Sequence, residues 1–315
     1  MKTTRRISRR IVLSLHVFVG MFVALPMLIQ SAAANQLIEN FPVGDGPCGM
    51  ASDGANIWVA NFDGGNVMKL RASDGVILDT IGLGGSPFWA TYDGDNVWVT
   101  VRDADRVVKI RASDDTVLGK FRVGSWPEKL VFDGANIWVA NSQSASVTEL
   151  RASDGARLRD IAVGSEPWGI AFDGINIWVT IRGTNTVTKF RARDGAPRGS
   201  FNVGSVPIDI MFDGSKIWVA NYISNSVTIL RAADGLLLRE FLTGDNPIAF
   251  AFDGDQTWLA HLGEDIVTTH KDSNGQQLQS FPVQDAPEAV LFDGTSIWVS
   301  NYASKTVTKI TRTAR

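Results

Sequence analysis

The chain has 315 residues, of which 44% are hydrophobic and 20% charged, and its formal net charge is −3. This composition is that of a folded protein, and the single cysteine excludes a disulfide framework and zinc sites built from cysteine clusters. The first 34 residues hold five of the 30 basic residues and no acid, so the remainder has 25 basic and 33 acidic side chains, a net charge of −8. That balance argues against a nucleic-acid partner held by bulk charge.

The N-terminal segment has the three-part layout of a secretory signal peptide. Residues 2–10 are basic, residues 11–29 are almost wholly apolar, and residues 31–34 are small. We predict cleavage after Ala34; an uncleaved anchor is the alternative, since the 19 apolar residues nearly suffice to span a bilayer. The prediction therefore assigns residues 1–34 to a signal peptide and residues 35–315 to an exported, periplasmic or secreted domain without a membrane span.

Residues 8–13 leave the export route open. They resemble the twin-arginine motif, which would imply export of an already folded protein. An ordinary basic n-region is the alternative interpretation.

The rest of the chain is one unit repeated seven times at intervals of 40 residues, without insertion or deletion. Each unit has a proline, an Asp-Gly pair whose Asp follows that proline by six residues, and a Trp five residues after that Asp. The Asp residues are Asp53, Asp93, Asp133, Asp173, Asp213, Asp253 and Asp293. The Trp residues are Trp58, Trp98, Trp138, Trp178, Trp218, Trp258 and Trp298. The prolines, called the ring prolines below, are Pro47, Pro87, Pro127, Pro167, Pro207, Pro247 and Pro287.

Each unit resolves into four short β-rich runs separated by turn pairs. In residues 124–163 the turn pairs are Asp133-Gly134 and Asp154-Gly155. The predicted strands are residues 129–132, 136–140, 146–151 and 157–163. Four strands in each of seven units predict an all-β fold, a single seven-bladed β-propeller.

The ends of the chain predict how the ring closes. The last unit lacks a fourth strand, and residues 36–43 match the fourth strand of the other units, with Phe41 aligned to Phe121 and Phe201. We therefore expect the N-terminal strand to complete blade seven, which removes two exposed sheet edges.

The recurrent residues are interpreted as scaffold. A Trp on the second strand of every blade fills the gap between blades, and the repeated Asp caps its turn with its own side chain. A ring of calcium sites is the alternative, although each turn offers one carboxylate and calcium requires six to eight oxygens.

The repeat resembles a known family. Residues 137–141, Ile-Trp-Val-Ala-Asn, and the recurrent Asn61, Asn141, Asn221 and Asn301 resemble the YVTN-type β-propeller repeat over about residues 36–315. The resemblance implies an exported bacterial propeller and is specific for fold rather than for function.

A more distant resemblance is to streptogramin B lyases. Members of that family carry a catalytic His after a Glu-Pro pair and bind magnesium through nearby Glu side chains. Here Glu166-Pro167 is followed by Trp168, and Ile181 and Arg182 stand where a Glu is expected. Because a Trp cannot transfer a proton, these departures argue against lyase activity.

Candidate binding residues are found where one unit differs from the others. Trp89, Trp126 and Trp168 lie outside the scaffold set, within two residues of a ring proline, and Arg102 and Arg182 begin loops that start differently in most other units. The full set of predicted ligand-binding residues on the upper face is Trp89, Arg102, Trp126, Glu128, Lys129, Trp168, Arg182, Asp209 and His261. Arginines beside aromatic rings hold anions or planar groups. The alternatives are that the Trp residues plug the channel and that the Arg residues form salt bridges, for instance to Glu128 or Glu166.

The histidines do not suggest a metal site. Strand spacing places His261 and His270 more than about 10 Å apart, too far to share an ion. No nucleophile–His–acid arrangement and no phosphate loop is present.

These observations favour a non-enzymatic exported binding or scaffold protein, a monomer without metal or cofactor, whose partner is an unknown small molecule or exported protein. The alternative is a divalent-metal-dependent lyase or hydrolase that uses the same face. A third class, a surface-layer subunit, would self-assemble.

Overall fold

The computed structural model describes residues 36–312, and the predicted signal peptide lies outside these residues. They form 28 strands arranged as seven antiparallel four-stranded sheets, which confirms the predicted seven-bladed propeller. Each sheet is one blade, and its innermost strand is the one that begins at a ring proline. Within residues 36–312 no helix is long and apolar enough to cross a membrane.

The strands follow one another blade by blade. Blades one and two contain β2 (Pro47–Ser52), β3 (Asn56–Asn61), β4 (Asn66–Arg71), β5 (Ile77–Gly82), β6 (Pro87–Tyr92), β7 (Asn96–Val101), β8 (Arg106–Arg111) and β9 (Val117–Arg122). Blades three and four contain β10 (Pro127–Phe132), β11 (Asn136–Asn141), β12 (Ser146–Arg151), β13 (Arg157–Ala162), β14 (Pro167–Phe172), β15 (Asn176–Ile181), β16 (Thr186–Arg191) and β17 (Pro197–Asn202).

Blades five and six contain β18 (Pro207–Phe212), β19 (Lys216–Asn221), β20 (Ser226–Arg231), β21 (Leu237–Leu242), β22 (Pro247–Phe252), β23 (Gln256–His261), β24 (Ile266–Lys271) and β25 (Gln277–Pro282). Blade seven contains β26 (Pro287–Phe292), β27 (Ser296–Asn301) and β28 (Thr306–Arg312), together with β1 (Gln36–Pro42). Two short 3-10 helices, Arg102–Ala104 and Arg182–Thr184, lie in the loops between the second and third strands of blades two and four.

The spacing of five residues between the repeated Asp and Trp has a direct physical cause. In blade four, Oδ1 of Asp173 accepts hydrogen bonds from the backbone N–H groups of Ile175 and Asn176, and Oδ2 accepts one from Nε1 of Trp178 at 2.7 Å. The same carboxylate thus caps the turn, as predicted, and fixes the indole on the following strand. The seven scaffold Trp side chains are fully buried.

Trp–Phe pairs stabilise individual blades from within, and lysine side chains join four of the blades to the next one. The ring centroids of Trp98 and Phe121 are 5.5 Å apart, and equivalent pairs recur around the propeller. Lys109 lies 5.0 Å from the Trp98 ring centroid and donates a hydrogen bond to the carbonyl oxygen of Ala152 in blade three at 2.7 Å. Lys69, Lys189 and Lys309 make the equivalent contacts to the next blade.

The ring closes as the sequence predicts. β1 pairs antiparallel with β28, in a register that places Phe41 opposite Val307. The Phe41 ring centroid lies 5.8 Å from that of Trp298. Blade seven also contacts blade one, since the Tyr302 hydroxyl donates a hydrogen bond to Oδ2 of Asp63 at 2.7 Å.

Candidate functional site

A cavity of about 420 Å³ lies where the inner strands of all seven blades begin. Most of its lining comes from two positions in six of the seven units: the residue after the ring proline and the first residue of the loop between the second and third strands. The lining residues are Cys48, Phe62, Phe88, Trp89, Arg102, Lys129, Trp168, Arg182, Val206, Ile208, Tyr222, Ile248, Leu262, Glu288 and Tyr302. We call this cavity the channel mouth.

An irregularity at the start of every inner strand places side chains in the channel mouth. The pairing of β14 with β15 is regular from Ile170 onwards, but the register shifts between Pro167 and Ile170, and every inner strand shows a similar shift. Because a β-bulge lifts its residues out of the ladder, it re-aims their side chains. Trp168 lies within this shift and reaches the channel mouth.

The rim of the channel mouth is held by hydrogen bonds from the preceding blade. Trp126 and Val206, each directly before a ring proline, have φ angles of 59° and 54°, a region that is costly for such side chains. The N–H of Trp126 donates to Oδ1 of Asp105 at 2.9 Å, and the N–H of Val206 donates to Oδ1 of Asn185 at 2.9 Å. These bonds position the rim before any ligand arrives.

Arg102 lies in an aromatic cluster and is paired with a buried acid. Its guanidinium carbon is 3.5 Å from the ring centroid of Phe88 and 5.1 Å from that of Trp168. One of its N–H groups donates to Glu128, which is fully buried and also accepts a hydrogen bond from the Ser142 hydroxyl at 2.9 Å. Burial raises the pKa of Glu128, and the positive charge of Arg102 opposes that rise. The alternative of an Arg–Glu128 salt bridge thus holds for Arg102, although the pair is buried rather than on the surface.

Arg182 differs from Arg102 because it forms no ion pair with an acid within residues 36–312. Its guanidinium carbon lies 4.3 Å from the ring centroid of Trp168, a cation–π contact. The ion pairs found within residues 36–312 do not include Arg182, and its buried Nε has no hydrogen-bond partner there. The channel mouth therefore holds one guanidinium that forms no ion pair within the described residues, although its positive charge opposes the rise that burial causes in the pKa of Glu128.

Lys129 is neutralised by an acid from two blades away. Its Nζ lies 2.6 Å from Oδ1 of Asp209 and 3.7 Å from the ring centroid of Trp89. Oδ2 of Asp209 accepts a hydrogen bond from the N–H of Phe250 at 2.8 Å. Burial lowers the pKa of Lys129, and the charge of Asp209 opposes the shift. This buried pair spans blades three and five beneath the channel mouth.

Glu288 provides an acidic group in blade seven. Burial raises its pKa to about 7, an effect that the positive charges of Lys129 and Arg102 oppose. Burial likewise raises the pKa of the nearby Cys48 thiol, and the hydrogen bond to Asp63 raises that of Tyr302. The cationic and acidic residues of the channel mouth are thus segregated, with Arg182 in blade four and Glu288 in blade seven.

Most of the predicted ligand-binding residues come together, and their role as a binding site stays a prediction. Trp89, Arg102, Lys129, Trp168 and Arg182 line the channel mouth. Glu128 and Asp209 are the buried partners of two of these cations. Trp126 lies beside the channel mouth, lines an adjoining depression with Glu166, and its ring centroid is 5.8 Å from the Arg102 guanidinium carbon.

The structure corrects the placement of His261. This side chain is fully buried inside blade six and does not line the channel mouth. Its Nε2 lies 2.7 Å from the hydroxyl oxygen of Thr268, and Nε2 of His270 lies 2.8 Å from that same oxygen. The expected separation of more than about 10 Å is therefore wrong for the side chains, because both rings turn towards Thr268.

His261 takes the place of a structural asparagine. Nδ2 of Asn141 and of Asn221 donates to Thr148 and Thr228, respectively, each at 2.9 Å, in the equivalent positions of blades three and five. Burial lowers the pKa of His261 to about 4, so the imidazole is neutral near pH 7. The contact of His261 with Thr268 is thus the blade-six version of a recurring polar pair.

Sequence reasoning missed one whole wall of the channel mouth. Glu288, Cys48 and Ile248 follow ring prolines and were visible as members of the same series. Tyr302 and Phe62 begin the loops after their second strands. The signal that was available is the position itself, because the same two positions line the channel mouth in every unit except the third. Within residues 36–312 no three His, Cys, Asp or Glu side chains are grouped as metal ligands.

The similarities to known proteins concern the fold. No family model and no curated protein matches the chain. A solved structure of a streptogramin B lyase superimposes with a TM-score of 0.76 at 17% identity, over 88% of this chain and 98% of that one. Virginiamycin B lyase from Staphylococcus aureus gives a TM-score of 0.76 at 20% identity, over 88% and 99% of the two chains. Hydrazine synthase from Kuenenia stuttgartiensis gives a TM-score of 0.76 at 20% identity, over 85% of this chain and 96% of that one. The chain is thus a seven-bladed propeller similar to streptogramin B lyase, and membership of the YVTN repeat family stays a prediction.

Proposed function

We propose that this chain is an exported binding protein that takes up small organic carboxylates in the channel mouth. The observation that carries the proposal is Arg182, a guanidinium that stacks on Trp168 and has no acidic partner among the described residues. A guanidinium without a carboxylate partner can form charge-assisted hydrogen bonds with the carboxylate of a ligand.

The charges around Arg182 support an anionic ligand. Arg102 is balanced by Glu128, and Lys129 is balanced by Asp209. Arg182 therefore supplies the excess positive charge of its side of the channel mouth. Guanidinium groups match carboxylates in a two-pronged geometry, and such charge-assisted hydrogen bonds are about twice as strong as neutral ones.

The apolar residues of the lining favour a ligand whose uncharged part is apolar. Ile208, Ile248 and Leu262 come from blades five and six, and Phe88 and Trp168 from blades two and four. The cavity is within the common size range of small-molecule sites, and mostly apolar walls with a few polar groups are typical of such sites. An aliphatic or aromatic acid fits this combination better than a sugar or a free inorganic anion.

A lyase or hydrolase acting in the same cavity is the second candidate, favoured by Glu288. A carboxyl group with a pKa of about 7 is suited to general acid–base catalysis. Against this candidate stands Trp168, at the position where the similar lyases are expected to carry a catalytic His. Release of a chemically altered product from a bound acid, followed by mass spectrometry, would favour the enzyme.

The proposal is tested by calorimetry with two matched probes, 3-phenylpropionate and 3-phenylpropan-1-ol. We expect the acid to bind and the alcohol to bind at least tenfold more weakly, since a hydrogen bond to a charged group contributes about 1.5–3 kcal/mol. Arg182→Gln should weaken binding of the acid by a similar factor. Arg239→Gln, on the exposed strand β21, is the control and should bind like the unaltered protein. Equal affinity for acid and alcohol, or full binding by Arg182→Gln, would overturn the proposal.

A further inference from the structure

The proposed function explains Arg182 but leaves Glu288 without a role. Glu288 lines the channel mouth, and no hydrogen bond or ion pair among residues 36–312 involves its carboxyl group. A half-buried carboxyl without a partner is costly in the ionised form, and a ligand that donates a hydrogen bond removes that cost.

Arg182 and Glu288, which form no ion pair within residues 36–312, both line the channel mouth and belong to nearly opposite blades. Arg182 belongs to blade four and Glu288 to blade seven, three blades away in one direction and four in the other. In a ring of seven no two blades are more nearly opposite. The wall between them on one side is apolar, formed by Ile208, Ile248 and Leu262 of blades five and six.

From this arrangement we propose, resting on the proposed function, that the ligand is a short apolar peptide with free ends, its carboxylate at Arg182 and its terminal ammonium at Glu288. A free amino acid carries both charges on one carbon and cannot place them on opposite walls. A peptide of two or three residues separates them, because each extended residue adds about 3.3–3.6 Å. Its apolar side chains then lie against the wall formed by blades five and six.

The surroundings of Glu288 make its charge sensitive to pH. Lys129 and Arg102 face it as cations, while Cys48 and Tyr302 face it as neutral groups at pH 7. Burial outweighs the two cations, so the pKa of Glu288 is about 7. Glu288 is therefore half ionised near neutral pH, and it attracts an ammonium group more strongly as the pH rises through 7. The proposal thus includes stronger binding of the peptide at pH 7.5 than at pH 5.5.

The test uses calorimetry on the mature chain with four probes. They are the dipeptide Leu-Phe with free ends, its N-acetyl form, its C-terminal amide, and free leucine. At pH 7.5 we expect the free dipeptide to bind at least tenfold more tightly than each of the other three. Glu288→Gln should bind the free and acetylated dipeptides equally, and its affinity should no longer fall between pH 7.5 and pH 5.5.

The possible outcomes separate this inference from the proposed function. Equal binding of the free and acetylated dipeptides by the unaltered protein overturns the role of Glu288, while binding of 3-phenylpropionate leaves the carboxylate site standing. If neither dipeptide acid nor 3-phenylpropionate binds, the proposed function fails as well. Unchanged discrimination in Glu288→Gln, measured on a variant that melts cooperatively, also overturns the inference.

Discussion

Replacement of two tryptophans in the same blade separates scaffold from site. Trp178 is fully buried; its ring centroid lies 5.5 Å from that of Phe201, and its indole donates to Asp173 at 2.7 Å. Trp168 is half-buried and lines the channel mouth. The two residues belong to adjacent strands of blade four, so each variant serves as a control for the other.

The expected costs differ because the two side chains are buried to different extents. Trp178→Ala removes a large buried side chain and leaves a cavity, which costs about 3–5 kcal/mol. Trp168→Ala removes a ring that solvent already reaches, and we expect about 1–2 kcal/mol from the lost apolar contact. For a chain of this size each kcal/mol lowers Tm by roughly 2–4 °C. Trp178→Ala should therefore lower Tm by roughly 6–20 °C and Trp168→Ala by roughly 2–8 °C.

The assay is thermal unfolding followed by circular dichroism, with binding of 3-phenylpropionate measured on the same samples. The double variant Trp168→Ala with Arg182→Ala should keep most of its stability and lose binding. Trp178→Ala should lose stability but bind normally well below its Tm. An equal fall in Tm for the two single variants would show that Trp168 fills the core and would refute its assignment to the site.

Three further predictions concern stability. The pKa of Glu288 is about 7 in the folded protein against an ordinary 4.5, so the contribution of Glu288 to stability falls as the pH rises from 4.5 to 7. Glu288→Gln should therefore raise the free energy of unfolding by up to about 3 kcal/mol at pH 8 and leave it unchanged at pH 4, as urea titrations at the two pH values will test. Deletion of residues 35–43 should abolish cooperative melting, since it exposes an edge of β28, and a sharp unchanged transition would contradict the closure. His261→Asn should change the free energy of unfolding by less than about 1 kcal/mol, whereas Thr268→Val should lower it by about 1–3 kcal/mol because the imidazoles of His261 and His270 both lose their partner. Equal costs for the two variants would count against the structural interpretation of His261.

The fold was predictable because the 40-residue repeat determines the number and composition of the blades. Seven equal intervals and turn pairs give the blade number, and the matching fourth strand at residues 36–43 gives the closure. The strand predicted over residues 129–132 begins two residues earlier, at Pro127, because the bulge after the ring proline interrupts the pattern of alternation. The bulge recurs after every ring proline, but it is a property of the pairing between two strands and so breaks the alternation by which a single strand is located in the sequence.

The candidate site was only partly predictable. Trp168 and Arg182 depart from the repeat and were noticed for that reason. Glu288 follows a ring proline as Glu128 does, yet Glu128 is buried against Arg102, while Glu288 faces the channel mouth and forms no ion pair in the part of the chain that the structure describes. The difference lies in the loop of the preceding blade, which offers Arg102 to Glu128 and Leu262 to Glu288. Pairing across blades, such as that of Lys129 with Asp209, requires the ring geometry and cannot be read along the chain.

The most direct test of the central claim is a crystal structure of residues 35–315 grown with 3-phenylpropionate. The account predicts the acid in the channel mouth, its carboxylate within hydrogen-bond distance of the Arg182 guanidinium and its ring against the apolar wall of Ile208, Ile248 and Leu262. An acid bound elsewhere on the propeller, or a channel mouth closed by its own side chains, would contradict it.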